Sequence, residues 1–150
     1  MAKKIGLDCK LYYNPAGNEN PIVPGNWTEL TNCRDVTLNL EKGEADVTTR
    51  GNAGWRATAG TIKDGSIEFE MVWDTADAGF TAIKDAYFNG TAIGLLALDG
   101  GVSVSGSQGL AAEMEVTNFT RNEPLEEAVT VSVTLKPAYA VVAPFWHTVP

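Results

Sequence analysis

The feature of this sequence that most constrains its fold is a regular alternation of apolar and polar residues. In residues 127–137, four apolar side chains alternate with Thr, Ser and Lys. Residues 66–73 and 110–118 repeat the pattern. Because successive side chains of a β-strand point to opposite faces, a period of two predicts half-buried strands. We therefore expect a mainly β domain of the sandwich or barrel type.

Shorter segments rich in Thr, Val and aromatic residues are predicted to be further strands, since branched and aromatic side chains suit a pleated surface. These segments are 10–13, 27–30, 36–40, 55–59 and 93–98. A chain of 150 residues is the usual size of one domain. We expect a single domain over residues 1–150.

Residues 76–89 break the alternation, because apolar side chains recur there at helical spacing. Thr75 or Asp77 could cap the start of this helix, and Gly90 could end it in the left-handed conformation. We predict one helix that flanks the sheet with its apolar residues turned inward. These residues are Phe80, Ile83, Tyr87 and Phe88.

Three further segments stand out by their composition. Residues 14–26 contain three prolines and two glycines, which predicts an irregular loop. Residues 41–54 form a polar stretch of 14 residues between two predicted strands, and loops of that length are often functional. The C-terminal segment 138–150 carries Tyr139, Phe145 and Trp146, and exposed aromatic residues near a terminus usually dock on a surface.

The sequence offers little for catalysis or for binding a metal. His147 is the only histidine, and Cys9 and Cys33 are too far apart for a zinc-binding motif. The sequence also contains no glycine-rich phosphate-binding motif. We expect no enzyme activity, no metal and no cofactor. For the two cysteines, we favour free thiols over a disulfide.

Acidic residues dominate the charge of the chain. The formal net charge is −8, which disfavours binding to nucleic acid or to an anionic membrane. The pairs Glu68/Glu70 and Glu113/Glu115 each point to one side of a predicted strand. A sheet face built from them would repel DNA passing along it. No signal peptide or membrane-spanning stretch is apparent, so we expect a soluble protein made in a cytoplasm that does not bind membranes.

The order of these features resembles the major tail tube protein of long-tailed (siphovirus-type) bacteriophages. The resemblance rests on the run 46–50, the segment 55–60 and the strand 66–73 followed by the helix. It is strongest near the end of the chain, in 112–119, 124–126 and 129–137.

The resemblance implies a virion protein whose copies form hexameric rings that stack into a tail tube for genome delivery. It implies a continuous inner β-barrel whose lumen-facing residues would include Glu68, Glu70, Glu113 and Glu115. The long loop would reach the adjacent ring, and the C-terminal aromatic residues would form a second contact. The stacking residues would be Lys42, Glu44, Asp46, Val47, Thr48, Thr49, Arg50 and Asn52.

The implied partners are further copies of the chain and the tape measure, tail tip and tail terminator proteins. Double-stranded DNA would pass without specific binding, and assembly would take place in the host bacterial cytoplasm. The alternative from the residues alone is a monomeric β-sandwich that binds carbohydrate. In that alternative, exposed aromatic residues would stack on sugar rings. These residues would be Trp27, Trp55, Tyr12 and Tyr13.

Overall fold

The computed structural model describes residues 3–17, 22 and 25–150. This part of the chain contains eight β-strands, one α-helix and two short 3-10 turns. The elements are β1 (Lys10–Asn14), β2 (Thr28–Glu29), β3 (Cys33–Asp46), β4 (Thr58–Val72), α1 (Ala78–Asn89), β5 (Ile93–Leu98), β6 (Gln108–Asn122), β7 (Thr130–Pro137) and β8 (Phe145–Thr148). The mainly β fold with one flanking helix is confirmed.

All the strands belong to one antiparallel sheet. Its order is β2-β1-β5-β6-β7-β4-β3, and β8 pairs with the first residues of β6. The strands predicted at 10–13, 66–73, 93–98, 110–118 and 127–137 all fall on observed strands. The sheet therefore follows the alternating segments closely.

The main core lies between α1 and one face of the sheet. Side chains of α1 and of β1, β5, β6, β7 and β4 form a single buried cluster. Gly79 allows a close approach, because a Cβ atom there would lie 2.3 Å from a methyl group of Leu30. The fully buried members of this cluster include Ile67, Met71, Ile83, Leu95, Met114, Val131 and Leu135.

The helix begins and ends near the predicted positions. The side chain of Asp77 accepts a hydrogen bond from the backbone N–H of Phe80 at 2.9 Å, so Asp77 is the N-cap rather than Thr75. Gly90 ends the helix with a φ of 65°. The inward aromatic face is only partly correct, because Phe80 is buried whereas Tyr87 and Phe88 are exposed.

A second buried cluster covers part of the opposite face of the sheet. It joins Tyr12, Trp27, Leu96 and Val149 above β1, β5 and the start of β6. The hydroxyl of Tyr12 accepts a hydrogen bond from the backbone N–H of Val102 at 3.1 Å. The C-terminal segment contributes Val149, which directly follows β8, to this cluster. The cluster leaves the other half of this face uncovered, over β3, β4, β7 and the end of β6.

The prediction of a loop over residues 41–54 is wrong in its bounds. Residues 41–46 continue β3 and pair with β4, and the connection between the two strands is 47–57. The strand predicted at 55–59 begins only at Thr58 for the same reason. Both faces of this hairpin are exposed, so its sequence lacks the apolar alternation on which the prediction depended.

Parts of the predicted loop 14–26 lie outside the described residues, namely 18–21, 23 and 24. Residues 14–17 form a turn directly after β1. Within the part of the chain that the structure describes, no helix is long and apolar enough to cross a membrane.

The helix cap gives a test of this fold. Replacing Asp77 by Ala removes the acceptor for the Phe80 N–H, and the free energy of unfolding should fall by about 1 kcal/mol. Thr75→Ala is the matched control, since Thr75 makes no capping contact with the helix, and it should change stability by less than ~0.5 kcal/mol. Urea unfolding followed by circular dichroism measures both. Equal losses in the two variants would contradict the assignment of the cap.

Candidate assembly surfaces

The uncovered half of the sheet carries mainly polar side chains. Residues that are directly paired in an antiparallel sheet share a face, so the register defines this surface. We call it the open polar face. It comprises Arg34, Thr37, Asn39, Glu68, Glu70, Glu115, Asn118, Thr120, Ser132, Thr134 and Lys136.

Charges on the open polar face are partly balanced across neighbouring strands. Glu70 accepts hydrogen bonds from the Nε and Nη2 atoms of Arg34 at 3.0 and 2.6 Å. Glu115 is the direct cross-strand neighbour of Lys136. Glu68 has only Thr neighbours on the two adjacent strands. The face therefore presents acidic groups among hydroxyl and amide groups, with two cations at its borders.

Glu113 shares this side of the sheet but is not freely exposed. It is half-buried beside the turn after β1, where a Cβ atom on Gly17 would lie 2.1 Å from its carboxylate. Of the glutamates singled out from the sequence, the structure thus brings Glu68, Glu70 and Glu115 together on one open surface. It leaves Glu113 at the covered margin.

Two free strand edges border the open polar face. β3 pairs only with β4, so its outer edge has no partner strand among the described residues. β6 pairs with β5 up to Met114, but residues 115–122 pair only with β7 in the described part of the chain. Unpaired edges expose rows of N–H and C=O groups that readily bind another strand.

A long hairpin projects beyond the sheet. β4 pairs with β7 only over residues 67–72, whereas residues 58–66 pair with β3 alone. We call residues 39–66 the arm. From Ser66 to Thr58 the arm extends about 26 Å, at roughly 3.3 Å per residue. An isolated two-stranded hairpin is marginally stable in water, so the arm gains from contact with another surface.

Several large apolar side chains of the arm are exposed to solvent. Ile62 and Trp55 are 83% and 77% exposed, and Leu40 and Val47 are about half exposed. All four lie on a segment that makes no contact with either core cluster. Exposed apolar groups concentrated on one projection are typical of an interaction surface.

Hydrogen bonds hold the tip of the arm in shape. The hydroxyl of Thr48 accepts a hydrogen bond from the backbone N–H of Ala57 at 2.8 Å. The carboxylate of Asp46 accepts one from the backbone N–H of Thr48 at 2.9 Å. Hydrogen bonds from Thr48 lower the pKa of Asp46. Ala53 adopts a left-handed conformation in the turn, with a φ of 52°.

The residues expected to contact an adjacent ring all lie on the arm. Lys42, Glu44 and Asp46 are on the strand β3, and the rest are in the connection 47–57. Of the expected C-terminal contacts, Tyr139 is fully exposed, whereas Phe145 and Trp146 lie on β8. The indole N–H of Trp146 donates to Gln108 at 3.0 Å, which fixes that side chain against its own domain.

The sequence indicated Lys42 and Arg50 as contact residues, but it did not indicate Arg34 or Arg56. Arg34 was missed because a bulge follows it in β3, with a φ of 55° at Asp35, and the alternation is interrupted there. Trp55 and Arg56 were assigned to a strand rather than to the tip of the arm. Placing Trp55 and Arg56 at the tip requires the pairing of β3 with β4, which the sequence pattern did not reveal.

The described residues contain no group of His, Cys, Asp and Glu side chains that could hold a metal ion. Cys9 and Cys33 are both free. Burial raises the pKa of the Cys33 thiol, which donates a hydrogen bond to the carbonyl of Leu30 at 3.1 Å. His147 lies on β8 near Phe145.

The aromatic residues of the carbohydrate-binding alternative do not form a platform. Tyr12, Tyr13 and Trp27 are at most 6% exposed and belong to the two cores. Trp55 alone among the four is exposed, and it lies at the tip of the arm. Three of the four side chains are therefore buried, and the exposed platform that this alternative requires is absent from the described residues.

The sequence matches a protein family described as "Phage tail tube protein" over residues 10–143. The chain belongs to this phage tail tube protein family. No curated protein is significantly similar to it in sequence. The family assignment confirms the resemblance found in the sequence, and the chain is a structural protein of a tail tube.

Solved structures share the fold of this tail tube protein. The tail of an empty gene transfer agent particle, refined with C6 symmetry, is 17% identical with a TM-score of 0.68, covering 92% of this chain and 96% of that chain. The SPP1 tail tube is 19% identical with a TM-score of 0.69, covering 97% and 80%. The anti-feeding prophage baseplate is 8% identical with a TM-score of 0.59, covering 99% and 98%.

The tip of the tail tube protein's arm gives a local test. Thr48→Val removes the hydroxyl that accepts from the Ala57 N–H, so hydrogen exchange at that amide should accelerate by about five- to tenfold, which corresponds to the loss of roughly 1 kcal/mol. Thr49→Val is the control, because the side chain of Thr49 holds no hydrogen bond across the turn. Exchange measured by NMR should change only in the first variant. Unchanged exchange at Ala57 in Thr48→Val would contradict this account of the tip.

Proposed function

We propose that six copies of this chain form a ring, and that the rings stack into a tube through which a genome is delivered into a host cell. The observation that carries the proposal is the open polar face, which is bordered by a free edge on each side. A polar sheet with two free edges suits the wall of a water-filled channel. C6 symmetry in a structurally similar tail supports the number six.

The direction of the strands favours ring closure through these edges. β3, β4, β7 and β6 alternate in direction across the open polar face. β3 and β6 therefore run in opposite directions, and β3 of one copy can lie antiparallel beside residues 115–122 of the next. Repeating this contact around a ring gives a continuous inner β-barrel in which every strand is antiparallel to its neighbours.

Closure would also satisfy the unpaired backbone groups of both edges. Each hydrogen bond formed contributes about 0.5–1.5 kcal/mol net, and a closed barrel has no edge left to aggregate. The contact joins different surfaces of each copy, which is the heterologous arrangement that generates rings. The same surfaces in a monomer would remain exposed.

The open polar face would then line the lumen. Glu68, Glu70 and Glu115 would face the channel, with Glu113 at its margin. Their negative charge repels the phosphate backbone, and the open face offers no aromatic platform on which bases could stack. Double-stranded DNA would pass without specific binding, and the two bordering cations would be held by neighbouring glutamates.

The arm would connect one ring to the next. Its exposed apolar residues pack against neither core cluster of the described residues, and its length exceeds what a connection between two strands requires. The stacking residues would be Lys42, Glu44, Asp46, Val47, Thr48, Thr49, Arg50 and Asn52. Tyr139, Phe145 and Trp146 would add a second contact between copies.

This role requires no catalysis, no metal and no cofactor. Tape measure, tail tip and tail terminator proteins are the further partners that a tube of defined length needs. We place assembly in the host bacterial cytoplasm, with the finished protein in the tail of the virion.

Removing the arm should separate ring formation from stacking. Lys42 and Lys63 are directly paired, so an Asn-Gly turn can replace residues 43–62 without changing the register. The shortened protein should form rings but no tubes in electron micrographs. The matched control changes only Ala53 to Gly, which suits the left-handed conformation at that position, and it should still polymerise. Tubes formed by the shortened protein would contradict the stacking role of the arm.

Reversing the charge of the open polar face should make the tube retain DNA. In tubes of Glu68→Lys with Glu70→Lys, two acidic charges per copy are reversed in sign, and Arg34 loses its partner. DNA retention by assembled tubes, measured by co-sedimentation at low salt, should rise at least tenfold. Asp8→Lys with Asp85→Lys is the control at exposed positions elsewhere. Equal retention in both variants would contradict a lumen-facing role for these glutamates.

A further inference from the structure

A ladder of aromatic side chains leads from the core of the domain to its surface. Trp73 packs edge-on against Phe80 with 4.9 Å between the ring centroids, and Phe80 lies 6.1 Å from Phe119. Phe119 stacks on Tyr87 at 6.0 Å, and Tyr87 packs edge-on against Phe88 at 5.2 Å. Stacked and edge-on contacts of this kind are favourable between aromatic groups. The ladder therefore joins α1 to β6 through side chains.

The two ends of the ladder differ in how well they are covered. At the inner end, the guanidinium of Arg121 lies 5.0 Å from the centre of the Trp73 ring. At the outer end, Tyr87 is 42% exposed and Phe88 is 72% exposed. Adjacent exposed aromatic side chains are typical of an interaction surface. We call Tyr87, Phe88 and Phe119 the aromatic patch.

The aromatic patch lies beside the free edge of β6. Phe119 is in the middle of residues 115–122, which pair only with β7 in the described part of the chain. The residue paired with Phe119 on β7 is the buried Val133, so Phe119 points to the side of the sheet that bears the core and α1. We call this side the helix side. The patch is thus on the opposite side of the edge from the open polar face.

The free edge of β3 also carries apolar side chains on the helix side. Leu38 is paired with the buried Ile67, and the residues two positions before and after Leu38 share its side of the strand. These two residues are Val36 and Leu40, which are 41% and 54% exposed. We call the three side chains the apolar row. Over residues 36–40, β3 therefore alternates between the apolar row and the open polar face.

Closing a ring of copies through the two edges would bring the apolar row onto the aromatic patch. A channel wall that is polar throughout requires the open polar faces of adjacent copies to be continuous. The helix sides are then continuous as well, because side chains alternate between the two faces of a sheet. A β3 strand bonded to residues 115–122 lies about 4.8 Å from β6. Its helix-side residues are then directly beside Phe119 and the exposed end of α1.

We infer that the aromatic patch of one copy is the docking site for the apolar row of a second copy in the same ring. This inference rests on the proposed ring and adds to it a side-chain contact in which the helix takes part. Backbone groups at an open edge can pair with almost any strand, whereas the aromatic patch favours a strand with an apolar helix side. The contact also covers Tyr87 and Phe88, which the domain itself leaves exposed.

Photo-cross-linking within assembled rings tests the docking site directly. Phe88 is replaced by the photoreactive analogue p-benzoylphenylalanine, which keeps an aromatic group at this position. The modified protein is assembled together with isotope-labelled parent protein and irradiated, and mass spectrometry identifies peptides that join a labelled copy to an unlabelled one. Most cross-links between copies should fall within residues 34–42. Cross-links between copies that avoid this segment would overturn the inference.

The same analogue at Leu7 is the matched control. Leu7 is a large apolar side chain that is 86% exposed, and it precedes β1 at the far end of the sheet from the patch. The first residue of β1, Lys10, is paired with Leu98, which is in turn paired with Gly109 near the start of β6. The control should give no cross-links to residues 34–42. Equal labelling of that segment from both positions would also overturn the inference.

Truncating the patch measures its contribution to assembly. Phe88→Ala should raise the protein concentration at which rings form by at least tenfold, because less apolar surface is buried at each contact. Leu7→Ala should change that concentration by less than about twofold, as expected for an exposed side chain outside the contact. Thermal unfolding of the monomer should be nearly the same in both variants, since both side chains are mostly exposed. Rings of Phe88→Ala at the parental concentration, or an equal shift in Leu7→Ala, would contradict the docking.

These outcomes separate the docking from the proposed function. If the parent forms rings but the cross-links from position 88 lie outside β3, the docking fails while the ring stands. If the parent forms neither rings nor tubes under any condition, the proposed ring fails, and the docking fails with it.

Discussion

Unpaired backbone at the two edges of the open polar face is the constraint on which the rest of the structure depends. A four-stranded polar surface with a free β3 on one side and free residues 115–122 on the other is incomplete as a monomer. The main core lies on the opposite side, between α1 and the sheet. The helix and core make the sheet stable, and the edges leave it dependent on neighbouring copies.

The arm is also incomplete within one copy, in a second direction. Two strands that pair only with each other cannot bury an apolar face, and like-charge pairs such as Lys42 and Lys63 weaken them further. Within one copy this arrangement has no benefit. It becomes favourable when a second surface covers the exposed apolar side chains of the arm.

The sequence predicted the strands of the core well because burial imposes alternation. Residues 93–98 were predicted with the bounds that β5 has in the structure, and Asp77 was one of two proposed caps. Residues 41–46 of the arm were predicted to be part of a loop, since a ribbon exposed on both faces carries no alternation. The cover over Glu113 depends on a turn at Gly17 that is distant in sequence, so no local pattern could reveal it.

Cryo-electron microscopy of tubes grown from the purified protein tests the central claim most directly. The account predicts an inner barrel in which β3 of each copy is hydrogen-bonded, antiparallel, to residues 115–122 of its neighbour, with Glu68 and Glu115 facing the channel. A barrel closed through other strands, or a channel lined by the face that bears α1, would contradict it.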